Sequence, residues 1–485
     1  MLIAVEGCCH GELDRIYDTL DLIAREHGKK VDLLICCGDF QAVRNVYDLS
    51  CMAVPPKYLA INTFYKYYSG EKVAPIPTVF IGGNHEASNH LQELAYGGWV
   101  APNIYYLGNA GVVNFGGLRI AGVSGIYKGC DYLRGHCEVP PFDENTKRSI
   151  YHVRQLEIFR LKQISRPVDV FISHDWPLGV TEHGDIETLL YYKPYFKDDL
   201  DRGQLGNPAT WEVLQKVKPR YWFSAHLHAK FSALVKHDGE NGGETRFLAL
   251  DKCLPHKRFL QILDVAPASE NIGDLSFSFD PEWLGILKDT DHLWHFEPTI
   301  YYLPGPGSSE RHDFTQSDED CAKMIAALGN LQIDPANFQR VAPSHEAAWG
   351  EGTLDQIVRY MEQIGIPTPP VKSYPNPQTT LLCEKVGIRD PLAELTKIAE
   401  TNADKLKLTS DLSGPGSQVG SDEVRDDTAS AQNGEGAETE GEQPLEGAEV
   451  QAEAADTAES FENGNHEDEP LAKKMKVGNE EEVVE

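Results

Sequence analysis

Apolar runs in this chain repeatedly end in small clusters of polar residues. LIAVEG (2–7), DLLICCGD (32–39), TVFIGGNHE (78–86), LRIAGVSGIY (118–127), VDVFISHDWP (168–177) and RYWFSAHLH (220–228) each hold a core of aliphatic or aromatic side chains. Each then runs into a loop containing Gly, Asp, Asn, Ser or His. A short apolar run bounded by turn residues reads as a buried strand, so these six predict strands running into loops. AKFSALVKH (229–237) and TRFLALD (245–251) read as closing strands. Between them the spacing changes. Leu13, Ile16, Tyr17, Leu20, Ile23 and Ala24 fall on one face of a helix over 13–26, and further helices are expected over 58–68 and 146–163. Strands alternating with helices predict a layered α/β fold, in which sites assemble at the carboxyl ends of the strands.

From about residue 261 the pattern changes to short helices, such as CAKMIAALGNL and TLDQIVRYMEQIG, among loops rich in Pro, Tyr and Trp. This predicts a smaller second domain over 261–395, following a first domain over 1–260. Beyond 396 the chain is rich in Gly, Ser, Glu and Ala with almost no aromatics. Such a segment buries too little apolar area to offset its ordering entropy, so an acidic disordered tail is expected over 396–485.

Composition sharpens this outline. The 485 residues suggest roughly three units by length. The net charge of −31 is uneven: residues 411–485 hold 22 acids and four Lys/Arg, a net of −18. The acidity therefore belongs mostly to the tail, and argues against polyanion binding by the chain at large without excluding a local basic site. The ten irregularly spaced cysteines read as free thiols of a reducing compartment. No run of about 20 apolar residues is present, and the N-terminus has no secretory pattern, so no membrane association is expected. Within the tail, AKKMK is readable either as a nuclear import signal or as a solvated lysine cluster.

Five of the strand-end loops carry metal-binding side chains: GCCHGE, GDFQ, GGNHE, SHDWP and AHLHAKF. His10, Asp39, Asn84, His174 and His226 are separated by 29, 45, 90 and 52 residues, room each time for a strand and a connection. Two divalent cations about 3.5–4 Å apart need a bridging carboxylate, and Asp39 is the candidate. One cation would take Cys8, His10 and His228, the other Asn84, His174 and His226. A water between them would be the nucleophile, and His85 is placed to assist the departing oxygen.

With Cys where an Asp is usual, these loops resemble those of the calcineurin-like metallophosphoesterases, and more closely those of the RNA lariat debranching enzymes. GCCHGELD, GDFQAVRN, GGNHEASNH, SHDWP, AHLHAKF, LALDKCLPHKRFLQ and YPNPQTTLLCEKVGI carry the resemblance through about residue 390. It implies a metallophosphoesterase β-sandwich flanked by helices, with a smaller C-terminal domain. It implies hydrolysis of the 2′–5′ phosphodiester at the branch of excised intron lariats, as part of intron turnover. It implies Cys8, His10, Asp39, Asn84, His174, His226 and His228 as metal positions and His85 as the catalytic histidine. It also implies a nucleus-located enzyme, shuttling to the cytoplasm included, and a lariat-recognition loop at 124–154. Splicing or RNA-turnover proteins are candidate partners for the C-terminal domain or tail.

That loop holds Lys128, Arg134, His136, Lys147 and Arg148 among Tyr127, Tyr132 and Phe142. Splayed RNA bases stack on aromatics while phosphates need cations, so the mixture suits a branched RNA. An ordinary amphipathic insertion with a helix starting near Glu144 is the plain alternative. Cys130 and Cys137 lack the spacing of a zinc knuckle and are expected to be core or loop-stapling thiols. For Cys8, a thiolate favours Zn²⁺ or Fe²⁺ over Mg²⁺ or Ca²⁺. A mixed Fe²⁺/Zn²⁺ centre is expected, with Mn²⁺ able to substitute, and Cys9 is expected to point into the core.

A general nuclease, a phosphoprotein phosphatase and a non-catalytic scaffold are the competing readings. The phosphatases carry an arginine after the second motif that holds phosphate. Arg44 in GDFQAVRN could partly replace it, or pair with an acid on the surface. The C-terminal domain is read as packing, or as a brace for the recognition loop. The helix start at NPATWEVL could aid a phosphate or be merely capped.

Overall fold

The computed structural model describes residues 1–239, 242–267, 274–346, 350, 352–365 and 372–412. The tail expected to be disordered from 396 instead starts inside a helix, Pro391–Leu412; its remainder from 413 onward, with the AKKMK cluster, lies outside the described residues. Among the described residues, thirteen strands form two mixed sheets. They are β1 (Leu2–Glu6), β2 (Leu33–Cys36), β3 (Thr78–Phe80), β4 (Gly98–Ala101), β5 (Ile104–Tyr106), β6 (Ala110–Phe115) and β7 (Leu118–Val123), followed by β8 (Val170–Ser173), β9 (Tyr221–Ser224), β10 (Phe231–Lys236), β11 (Glu244–Ala249), β12 (Leu260–Asp264) and β13 (Phe277–Phe279). The first sheet runs β12-β1-β2-β3-β5-β4 and the second β10-β11-β9-β8-β7-β6-β13.

The sheets face each other because each central strand has two apolar faces. Ile3, Val5, Leu33, Ile35, Val79 and Ile81 of the first sheet meet Val113, Phe115, Ile120, Val170, Ile172 and Phe223 of the second, all buried. The alternate positions point outward. Ala4, Leu34, Cys36 and Phe80 pack on the helices Leu13–His27 and Phe64–Ser69. Ala121, Phe171, Trp222 and Phe247 pack on Gln155–Leu161, Pro208–Val217 and Pro281–Asp289. The result is the helix-flanked β-sandwich that the sequence implies. Strands β1, β2, β3 and β5 are mutually parallel, as are β7, β8, β9 and β11. Their carboxyl ends therefore share one edge of the sandwich.

Two helices differ from expectation. In place of a helix over 146–163 there are Thr146–Ser149 and Gln155–Leu161. The backbone between them is taken up elsewhere: His152 bridges Ile126, and the Val153 amide donates to the Ile126 carbonyl. In place of a helix over 58–68 there are a single turn, Pro56–Tyr58, and the helix Phe64–Ser69. There Ala60 bridges Thr353, and the Ile61 amide donates to the Gly352 carbonyl. In both cases pairing with a distant segment outweighs local periodicity.

The residues after 260 are woven into the sandwich. β12 pairs antiparallel with β1, and β13 adds to the edge of β6. Gln378 covers the outer edge of β4 by accepting from the Trp99 amide and donating to its carbonyl. Arg119 on β7 holds Asp280 and Glu282 at the start of the helix Pro281–Asp289. No described helix is long and apolar enough to cross a membrane.

Arg44 has no exposed surface at all. Its guanidinium bonds both oxygens of Asp48 and one of Glu93, and Tyr374 lies 5.8 Å from it. It is therefore neither a phosphate clamp nor a surface ion pair. Removing one partner of a buried ion pair strands the other charge. Arg44→Ala is expected to lose about 3–5 kcal/mol of folding stability, measured by urea unfolding.

Candidate metal centre

Each residue expected at the centre follows the carboxyl end of a parallel strand: Cys8 and His10 after β1, Asp39 after β2, Asn84 and His85 after β3, His174 after β8, His226 and His228 after β9. The turns that bring them together are tight. His10, Asp39, His226 and His228 all have positive φ, from 46° to 61°. This is an uncommon conformation for such residues, costing about 1–2 kcal/mol each. Gly83 is required for a different reason: a Cβ there would lie 2.2 Å from Asp39 Oδ1 and 2.7 Å from His174 Nε2.

Asp39 lies at the middle, with its two oxygens facing opposite groups. Oδ2 is 3.7 Å from His10 Nε2 and 3.5 Å from His85 Nδ1. Oδ1 accepts the His85 amide at 2.9 Å and lies 3.3 Å from His174 Nε2. On the first side, the donor atoms of Cys8, His10, Asp39 and His228 all lie within 4.8 Å of one another, and His10 Nε2 is 3.1 Å from His228 Nε2. On the second, His174 Nε2 is also 3.2 Å from Asn84 Oδ1, and the His226 ring is 5.1 Å from that of His174. His174 Nδ1 donates to the Cys37 carbonyl, which fixes Nε2 as the nitrogen turned inward.

Electrostatics follows from burial. Burial lowers His10 to about 4, His226 to about 3 and His228 to about 2, leaving neutral imidazoles with lone pairs to offer. Asp39 would be raised by burial, but His174, His85 and His10 outweigh this and hold it well below its ordinary value. Burial, with the charges of Asp39 and Glu6, raises the Cys8 thiol. Its sulfur accepts the His226 amide at 3.1 Å. His174 differs: burial lowers it, but the Asp39 carboxylate raises it further, so like the Cys8 thiol it would yield a proton on coordination. A carboxylate, an amide oxygen, three neutral imidazoles and these two groups fit a pair of divalent cations. Cys9 packs away from the centre, among the helices of the first sheet. All ten cysteines are free.

The loop 124–154 joins this edge beside β3 and β8. Ser124 accepts the Gly82 amide, and Asp175 accepts the Tyr127 amide. Of its expected RNA contacts, Lys128, Arg134 and Arg148 are exposed. Tyr127 and Tyr132 pack against each other and the core, their rings 5.4 Å apart. His136 is engaged by Glu157 at 2.9 Å and Lys147 by Glu144 at 2.8 Å. Arg134 pairs with Asp131 at 3.0 Å, and Phe142 is half-buried. The C-terminal segment supports the loop directly: Ile300 bridges Arg134, Tyr301 donates its amide to Leu133 and Gly135 donates to Glu297. At NPATWEVL, Asn207 caps its own helix by accepting the Ala209 and Thr210 amides.

Two site residues carried no role in the sequence reading. Asp175, the neighbour of His174 in SHDWP, ties the loop to the centre as just described. Glu86, the last letter of GGNHE, accepts the amides of Phe40, Gln41 and Gly83 at 2.8–2.9 Å. It thereby clamps the Asp39 and Asn84 loops together. Burial and the charge of Asp39 push it up to about 8, against the three amides. Its position directly after His85 was the available signal; the partners are backbone groups that no residue pattern displays. Glu86→Gln would turn an NH₂ group onto one of those amides. It is expected to cost about 1–3 kcal/mol of stability and to weaken metal binding about 10–100-fold, read by thermal unfolding and by metal content per chain.

Comparison with known proteins agrees with this geometry. Residues 1–230 match the calcineurin-like phosphoesterase family model, and residues 242–391 match that of the lariat debranching enzyme, C-terminal domain. The chain is 51% identical over 429 residues to the lariat debranching enzyme of Drosophila pseudoobscura pseudoobscura, covering 81% of this chain and 78% of that one. It is 48% identical over 407 residues to that of Homo sapiens, covering 82% and 71%. To that of Arabidopsis thaliana it is 46% identical over 388 residues, covering 80% and 86%. On these matches the chain belongs to the lariat debranching enzyme family, a branch of the calcineurin-like phosphoesterases.

Proposed function

We infer that this chain hydrolyses the 2′–5′ phosphodiester at the branch point of lariat RNA, with divalent cations that Asp39 and the residues around it would hold. The carrying observation is the Asp39 carboxylate, with Oδ2 turned to the His10 side and Oδ1 to the His174 side. Cys8, His10 and His228 would hold one cation, and Asn84, His174 and His226 the other. When bound, the cations supply Lewis acidity, neutralise phosphate oxygens and make water a nucleophile near neutral pH. His85 belongs to neither set. Its side chain is 29% exposed where that of His174 is fully buried, so it can reach substrate. It donates a proton to the 2′-oxygen as that oxygen leaves. Asp39 orients it, with Oδ1 on its amide and Oδ2 near its ring. The exposed cations Lys128, Arg134 and Arg148 meet the RNA phosphates.

Burial of Arg44 removes the one candidate for a phosphatase-type arginine clamp. Retention of a donor at all seven ligand positions weighs against a non-catalytic scaffold. The Cys8 sulfur would favour softer cations, so Fe²⁺ and Zn²⁺ would be preferred there, with Mn²⁺ as a substitute.

A synthetic RNA with both 2′–5′ and 3′–5′ linkages at one adenosine tests the activity. Cleavage at the 2′–5′ bond alone is expected. His85→Ala should slow it by about 10²–10⁴-fold with metal content unchanged. Cutting of both bonds would mean a general nuclease, and RNA binding without cleavage under any cation would mean a scaffold. Metal analysis of Cys8→Asp tests the choice of cation: bound Zn²⁺ and Fe²⁺ should fall and activity with Mg²⁺ or Mn²⁺ should rise. An unchanged metal profile would show that the sulfur does not select.

A further inference from the structure

In the second sheet the parallel strands lie in the order β11, β9, β8, β7. Along the shared edge the loops therefore follow as 250–259, then His226 and His228, then His174, then the 124–154 loop. The centre is flanked on both sides, and only the 124–154 side has a substrate role so far. The opposite side reads LDKCLPHKRF, with Lys252, His256, Lys257 and Arg258 against one acid, in a chain of net charge −31.

This segment is fastened to the ligand loop. Lys252 bridges Cys8, the Cys253 amide donates to the Cys8 carbonyl, the Cys8 amide to Asp251 and the Gly7 amide to Phe259. A Cβ on Gly7 would lie 2.1 Å from the Asp251 carbonyl oxygen, so glycine is needed for this approach. Lys252 is close enough that its charge bears on both His10 and His228. Lys257 leans on Asp251 at 3.6 Å. Lys252 and Arg258, half-buried and exposed respectively, have no side-chain hydrogen bond or ion pair among the described residues. Two unneutralised cations on an anchored turn beside a phosphoester-cleaving centre are suited to phosphate contacts.

We propose that the turn 252–258 is a second RNA-binding surface, on which Lys252 and Arg258 hold the phosphates of one single-stranded arm of the branched substrate, across the centre from the 124–154 loop. This rests on the debranching reading. A branch point has three arms, and the centre lies between two walls able to guide them.

The test measures binding of branched RNA by fluorescence anisotropy over a range of KCl, with cations present and His85→Ala in every chain to prevent turnover. Lys252→Gln and Arg258→Gln should each raise Kd several-fold and flatten the slope of log Kd against log[KCl] by about 0.7, the value for one single-strand phosphate contact. Lys252→Arg should restore the slope. Arg258 is exposed and has no side-chain hydrogen bond or ion pair to the candidate ligands among the described residues, so its variant answers even if Lys252→Gln perturbs the Cys8 loop, which metal content per chain would reveal. Unchanged slopes in both variants would overturn the proposal while leaving the debranching reading standing. If the parent protein binds branched and linear RNA alike, the debranching reading is weakened, and the slopes still decide whether this surface meets phosphate. Absence of any RNA binding would overturn both.

Discussion

A carboxylate kept almost wholly from water, with no lysine or arginine paired to it among the described residues, is the constraint on which the site rests. Asp39 is 1% exposed, and the charge it would lose to desolvation is sustained by three imidazoles and by the amide of His85. Isolated, such a group would take up a proton. Encircled by donors from other strands, it stays ionised and presents one oxygen to each side. The arrangement needs loops from both sheets at one edge, and so depends on parallel strands that end together.

The cost of that convergence is visible in the backbone. Four candidate ligand residues take left-handed conformations, and Gly7 and Gly83 leave no room for a Cβ. Strain of this kind persists only where the surroundings over-determine it. Glu86 does so from below by binding amides of two ligand loops, and the turn after β11 does so from the side by hydrogen bonding to Gly7 and Cys8. The 124–154 loop is held in turn by Asp175 next to His174 and by the segment 295–301. The C-terminal residues thus contribute to the centre without offering it a donor, by fixing the wall beside it and closing the edges of β4 and β6.

Charge is distributed to the same end. The acidity of the chain lies largely in its last 75 residues, while cations are found on both flanks of the centre. Some of those in the 124–154 loop are already committed: His136 to Glu157, Lys147 to Glu144. Counting basic residues in a loop therefore overstates what it can offer a phosphate, because neighbouring acids claim part of the set.

Much of the centre was legible in the residues themselves. Metal chemistry restricts which side chains can serve, and strand-end placement restricts where they stand, so Cys8, His10, Asp39, Asn84, His85, His174, His226 and His228 could be named before any coordinates. The apolar runs likewise disclosed the five strands that carry them, and β7 leading into the 124–154 loop, because a strand buried on both faces has to be apolar throughout. Strands β4, β5 and β13 are no shorter than β3, but nothing in the chain marked them as strands; they are defined by their pairing with β5, β3 and β6. The helix expected over 146–163 breaks because His152 and Val153 bond to residues near Ile126. Arg44 read as a surface or phosphate-binding cation, and became a core residue only when Asp48 and Glu93 were brought around it. Glu86 acts on backbone amides, which every residue has and no motif marks. Local chemistry and periodicity are properties of the chain; burial, the partners of a charge and the opposition of two walls arise from the packing of segments distant in sequence.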